Sequence, residues 1–228
     1  FKALESLMAQ PQADPALAER YRAGLRDFLE KNPDPPLAYE ARYRTGELLQ
    51  SSGDFPAAID EYAKVQGDAA YVLRARFGTV QSRFELLKGD TQPPVRAARL
   101  TAIGADLDAV DGQIKALQAQ KNAGVALPEI AAKTVLLRAV YVSLTSDKGD
   151  EQVAVLLADF GTRFPDQKDL LPQAVRLRLG ALLQLGRFTE AEQAVTQYGP
   201  ALAAEHRNEA LEGLASGFRK ASARRKAA

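Results

Sequence analysis

The chain of 228 residues has no cysteine and no tryptophan, and only one histidine and one methionine. Without cysteine it can form neither disulfides nor thiolate zinc sites. The one histidine, His206, cannot anchor a familiar zinc site alone, and its Ala- and Glu-rich surroundings suit a solvent-facing or capping role better than catalysis. No apolar run approaches the ~18 residues of a membrane-spanning helix. Charge of one sign is missing too. Thirty basic and 29 acidic residues leave a net +1, so the strongly basic face usual in nucleic-acid binding is not expected. The balance is nevertheless uneven. Arg219, Lys220, Arg224, Arg225 and Lys226 form a basic end without an acid, over a mildly acidic body. The chain opens at Phe1 without an initiator Met or a basic-then-apolar leader, as expected of a processed or excised form.

Motifs of cofactor chemistry are missing as well. Neither GxGxxG nor GxxxxGK[ST] occurs, so no phosphate cradle is signalled. Asp106, Asp108 and Asp111 lack the loop and the closing Glu of a calcium site and read as a solvated face. The serines and threonines have no histidine base near them in sequence, and the chain reads as non-enzymatic, without cofactor or metal.

What is present is material for a core: 46% of residues are apolar and 26% charged. The pattern is clearest from Tyr39 to Val65. Ala41, Thr45, Leu48 and Leu49 recur at the spacing of one helical face. Gly46 lies inside that helix, where it costs ~1 kcal/mol against Ala, and a close helix crossing would explain it. Gly53 suits the left-handed residue just past the helix end. Asp54 is placed to cap a second helix, and Pro56 sits in its first turn, where no donor is lost. Ala58, Ile59, Tyr62 and Val65 give that helix its apolar face, with Ala58 expected opposite Gly46. The stretch reads as a helical hairpin.

A Gly-centred turn recurs at Gly89, Gly149 and Gly186, at intervals of 36, 60 and 37 residues. Two intervals match one repeat of a two-helix solenoid, and the middle one matches a repeat plus an insertion. The Gly186 copy carries Gly180, Leu183, Phe188, Ala191 and Val195. The 131–165 copy carries Gly149, Ala154, Ala158 and a terminating Pro165. With Gly46, Leu49, Gly53, Phe55, Ala58 and Tyr62 at these spacings, the segment resembles a tetratricopeptide repeat. The resemblance implies an all-α fold: a right-handed α-solenoid of stacked antiparallel helix pairs, forming one domain over residues 1–228. The wording PPLAYEARYRTGELLQSSGDFPAAIDEY is also similar to repeats of bacterial envelope proteins, which implies a periplasmic or envelope location and leaves a cytoplasmic one open.

Elsewhere, Asp14-Pro15 opens a helix with Leu17, Tyr21, Leu25 and Phe28 on one face, closed by KNPDPP, after a partial helix in FKALESLMA. Another helix runs from about Ala69 to Leu87. The insertion, about 94–124, carries Leu100, Ile103, Leu107, Val110, Ile114 and Leu117 at heptad-type spacings. This is read as a repeat helix packed on its neighbours, with a protruding arm or dimer contact as the alternative. KNAGVALP reads as a loop before a helix over 129–144, and later helices follow near 170–185 and beyond Gly199.

Family resemblance implies an interaction scaffold that holds a peptide or protein against the first helices of its pairs. The positions it points to are Glu40, Tyr43, Glu47 and Gln50, then Ser143 and Ser146, then Gln173 and Arg176, with Tyr43 as the expected anchor. The Lys/Asn set with which some family members clamp a C-terminal carboxylate is absent. The alternative is a structural module that self-associates through the solenoid or the heptad helix at 94–121. The basic end reads as a solubilising tail that suits a helix C-terminus, with charge-driven binding to acidic membrane or nucleic acid as the alternative.

Overall fold

A computed structural model describes residues 15–32, 37–120 and 127–227. Every regular element among them is helical, and none is a strand. The expectations for FKALESLMA, for Asp14 as a cap, for most of KNPDPP and for most of KNAGVALP lie outside the described residues. The chain divides into two compact units, residues 1–124 and 125–228, each described by itself.

The first unit holds α1 (Pro15–Lys31), α2 (Leu37–Ser51), α3 (Phe55–Tyr62), α4 (Ala69–Gly89) and α5 (Pro93–Ala119). Helix α2 packs on α1, α3 and α4; α3 packs on α4, and α4 on α5. The turn after α2 forms as its sequence dictates. Gly53 takes φ +83°, its N–H donates to Gln50 O at 3.1 Å, and the Asp54 N–H donates to Leu49 O at 2.9 Å. These two bonds satisfy carbonyls that the helix end leaves open, in a Schellman motif. Asp54 Oδ1 then accepts from Ala57 N at 3.3 Å and caps α3, with Pro56 in the first turn. Asp68 caps α4 by accepting from Ala70 N and Tyr71 N at 2.8 and 3.1 Å.

Gly46 is indeed at a close approach, but its partner differs from the one expected. A Cβ there would lie 2.5 Å from Cε1 of Tyr62, and Ala58 is not among the nearest atoms. The other edge of the same ring lies against Gly78 of α4, where a Cβ would come within 2.6 Å of Cε2. Tyr62 is 3% exposed, and its hydroxyl donates to Gln50 Oε1 at 2.7 Å. The ring of α3 is thus clamped between glycines of α2 and α4. Periodicity marked Gly46 as small and buried, but not the ring that crosses it.

Helices α4 and α5 run antiparallel along their lengths. The Ala69 carbonyl accepts from Gln113 Nε2, Arg76 Nη1 reaches the Ala109 carbonyl, and Arg83 pairs with Asp106. At the turn, Asp90 binds Arg99, and Arg96 Nη1 donates to Leu87 O at 3.1 Å. The heptad stripe is consumed in this packing. Ile103, Leu107 and Val110 are 0% exposed, and Ile114 and Leu117 are also buried. The stripe therefore offers no open apolar seam for self-association. Ser82 of α4 is 0% exposed, and its Oγ is among the buried polar atoms that find no hydrogen-bond partner among the described residues. An unmet buried hydroxyl costs free energy that an apolar replacement recovers. Ser82→Ala is therefore expected to stabilise by about 1 kcal/mol. A lower urea midpoint in the variant would contradict this.

The second unit holds α6 (Leu127–Thr145), α7 (Gly149–Leu156), α8 (Phe160–Arg163), α9 (Leu171–Gln184), α10 (Phe188–Tyr198) and α11 (Ala204–Ala227), with a 3-10 turn at Gly199–Ala201. Helix α9 is its centre and packs on α7, α10 and α11. The turn into α10 repeats the Gly53 geometry. Gly186 has φ +70°, its N–H donates to Leu183 O at 3.2 Å, and Arg187 N donates to Leu182 O at 2.9 Å. Gly180, part of the repeat pattern in the Gly186 copy, is exposed with open space about it; its neighbour Leu179 is the buried residue.

The other two glycine turns differ from these. Gly89 ends α4 facing open space, and neither it nor Gly149 has positive φ. Gly149 is buried where the chain doubles back, and a Cβ would sit 2.7 Å from Val142 O. The second helix of the 131–165 copy is not continuous. It stops at Leu156 and resumes for one turn at Phe160. The Ala158 carbonyl in the break accepts from Tyr198 Oη at 2.9 Å and Arg178 Nη1 at 3.2 Å, so α9 and α10 satisfy the acceptor that the broken helix frees.

Candidate functional site

The outward polar edge of α2 lies beside α4 over a cluster of aromatic rings. Tyr43, Ala58, Tyr62, Val65 and Ala75 form the buried part, with Tyr39, Leu49 and Tyr71 packed against it. The Tyr43 ring stands 6.0 Å from Tyr62 and 5.7 Å from Tyr71, in tilted arrangements. Tyr43, expected as the anchor for a partner, is 9% exposed and packs in the core. Three tyrosines from three helices share one interior, so position 43 fills the space between hairpins instead of facing a partner.

Polar groups border this cluster in a continuous network. Tyr43 Oη donates to Glu47 Oε1 at 2.6 Å, and Arg44 Nη1 donates to the second oxygen of Glu47 at 2.9 Å. Glu40 Oε1 lies 3.9 Å from Arg44 Nη2, and the Glu40 carboxylate is near enough to Tyr71 to act on its phenol. Arg44 and Arg74 lie over the rings of Tyr43 and Tyr71 at 5.6 and 5.8 Å from the centroids. Burial is the main cause that pushes the Tyr43 and Tyr62 phenols far above the ordinary tyrosine range, and the charge of Glu47 adds to both. Tyr71 is raised by burial and then by Glu40. The phenols therefore stay protonated donors at neutral pH.

Of the residues expected from the sequence, Glu40, Glu47 and Gln50 meet here, the last through Tyr62. Arg44, Tyr71 and Arg74 belong with them and were missed. Their signal was present, since Arg44 and Glu47 stand three apart on one helix face, but nothing local to α4 says that Tyr71 and Arg74 reach it. Ser143, Ser146, Gln173 and Arg176 lie in the second unit. Ser143 donates to its own helix at Val140 O, and Ser146 Oγ accepts from Lys148 N. Gln173 and Arg176 are exposed on α9.

A second feature of the first unit is a cavity of about 410 Å³ among α3, α4 and α5. Ile59, Val65 and Val72 supply its apolar wall, and Arg76, Thr79, Arg83 and Asp106 its polar one. Arg83 Nε and Asp106 Oδ2 are 2.6 Å apart. Burial raises the Asp106 carboxyl, and Arg83 opposes that rise.

Among the described residues no group of three or more His, Asp or Glu could hold a metal, and no helix is long and apolar enough to cross a membrane. His206 stands 3.5 Å from Glu209 on its own helix. No family model, curated protein or solved structure matches the chain.

Proposed function

We propose that the protein is a non-enzymatic interaction scaffold of tetratricopeptide type, a right-handed solenoid in design, whose α2/α4 face holds an extended peptide segment of a partner protein. One observation carries this reading. Glu40, Arg44, Glu47 and Arg74 present both signs of charge, partly exposed, along a buried tyrosine cluster in which the Tyr62 ring is held between Gly46 and Gly78. A preorganised floor lets a partner bind without ordering the site first, and mixed charge on the rim sets orientation. The turn geometry shared by Gly53 and Gly186, each followed by Phe and then Ala at equal spacing, supports the repeat reading.

Charge reversal at the rim separates binding from folding. For a peptide selected from a random library against the intact chain, Arg44→Glu and Arg74→Glu are each expected to weaken binding about tenfold, near 1.4 kcal/mol, with little change in Tm. Affinity unchanged in both variants would place the binding elsewhere.

A further inference from the structure

The cavity among α3, α4 and α5 is a different place from the α2/α4 face, and its lining is unusual for a packed helix junction. Val72, Arg76, Thr79 and Arg83 follow one another at intervals of four, three and four, so one stripe of α4 looks into it. In a helix-on-helix seam that stripe is normally apolar. Here its lower end is apolar, continuous with Ile59 and Val65, and its upper end is charged. The two cations are not equivalent. Arg83 is neutralised by Asp106. Arg76 is exposed, and Nη1 reaches only two neutral acceptors, the Ala109 carbonyl and Gln113 Oε1, both at 3.4 Å. Among the described residues no carboxylate pairs with it. The cavity thus carries one positive charge in excess, beside an apolar wall, in a volume typical of small-molecule sites.

We infer that this cavity binds a small monocarboxylate with an apolar tail, its carboxylate on Arg76 and its hydrocarbon against Ile59, Val65 and Val72. A guanidinium presents two N–H groups to two carboxylate oxygens in one plane, and a charged partner would replace the long bonds Arg76 now makes to neutral oxygens. The Asp106 carboxylate sets the upper limit on charge. A dianion such as a phosphate monoester would meet one uncompensated cation and a nearby like charge, and is disfavoured. An uncharged alcohol would bury the tail and leave Arg76 as it is.

The test uses the full chain and three probes of equal chain length: octanoate, octanol and octyl phosphate, followed by amide and methyl chemical shifts. Octanoate is expected to saturate at millimolar concentration or below, shifting signals of Ile59, Val72 and Arg76. Octanol and octyl phosphate are expected to bind at least tenfold more weakly. Arg76→Gln changes an exposed side chain, so its helical circular dichroism should match the parent while octanoate affinity falls at least tenfold. Ala63→Trp, also at an exposed position on the cavity wall, is expected to block all three probes. Overturning results are no saturable octanoate binding, equal binding of the acid and the alcohol, stronger binding of the phosphate, or undiminished affinity in Arg76→Gln.

Discussion

Gly46→Leu is expected to destabilise the first unit by about 3 kcal/mol, the upper end for overpacking a filled core. The cause is the ring of Tyr62, which cannot retreat. A Cβ at position 46 already lies 2.5 Å from Cε1, and any shift away drives the opposite edge into Gly78. Leucine gains about 1 kcal/mol of helix propensity over glycine, too little to offset this. The second unit indicates the remedy. Seven residues before the turn glycines stand Gly46 and Leu179, and nine after them stand Tyr62 and Val195. The corresponding positions are thus small and large in one hairpin and large and medium in the other, and Leu179 and Val195 are both buried. Tyr62→Val alone should also be costly, by about 3 kcal/mol, because it leaves a cavity between two glycines. The double variant Gly46→Leu/Tyr62→Val should recover at least ~1 kcal/mol relative to the sum of the singles. Additive losses in urea denaturation would mean that the two positions do not share one contact.

The second large effect is alkaline unfolding. Tyr43 and Tyr62 have folded pKa values far above the ordinary ~10 because burial disfavours the phenolate. Above pH ~10 the unfolded chain releases protons that the folded chain retains, so stability falls as pH rises. The stability is fully present below that pH and is lost through the window up to the folded pKa values. Each tyrosine contributes up to ~1.4 kcal/mol per pH unit, hence about 3 kcal/mol per unit for the pair. Absorbance at 295 nm should show the exposed phenols titrating first. The buried ones should ionise together with loss of helical circular dichroism. Ionisation of all seven tyrosines with helicity intact at pH 12 would contradict the buried cluster.

Local signals in the sequence translated well into structure. The Gly53 turn, the Asp54 cap and Pro56 in the first turn depend on residues within a few positions of one another, and each formed as read. Likewise the α5 stripe was legible as buried because its period is intrinsic to one helix. Pairings across helices were less legible. Periodicity identified Gly46 and Tyr62 as lying on buried faces, yet Ala58 was read as the crossing partner because a small residue opposite a small one is the simplest way to bring helices close. The actual solution sets a ring between two glycines, the second of them on α4, and no pattern within α2 or α3 contains that. Tyr43 was misplaced for the same reason, since its burial depends on Tyr71 from the next hairpin. Gly180 and Gly89 show the converse. A glycine at a repeat-like interval need not have a packing role, and these two face open space.

The polar rim followed the same division. Glu40, Glu47 and Gln50 lie on one helix and were found together, whereas Arg74 and Tyr71 join them only through the packing of α4 on α2.

The most direct test of the scaffold reading is a chemical-shift map of the isotopically labelled 228-residue chain titrated with a library-selected peptide. The account predicts the largest changes at Glu40, Arg44, Glu47, Tyr71 and Arg74, with the buried Tyr62 ring unmoved. Largest changes on α5 or in the basic stretch beyond Phe218, with the α2/α4 face silent, would contradict it.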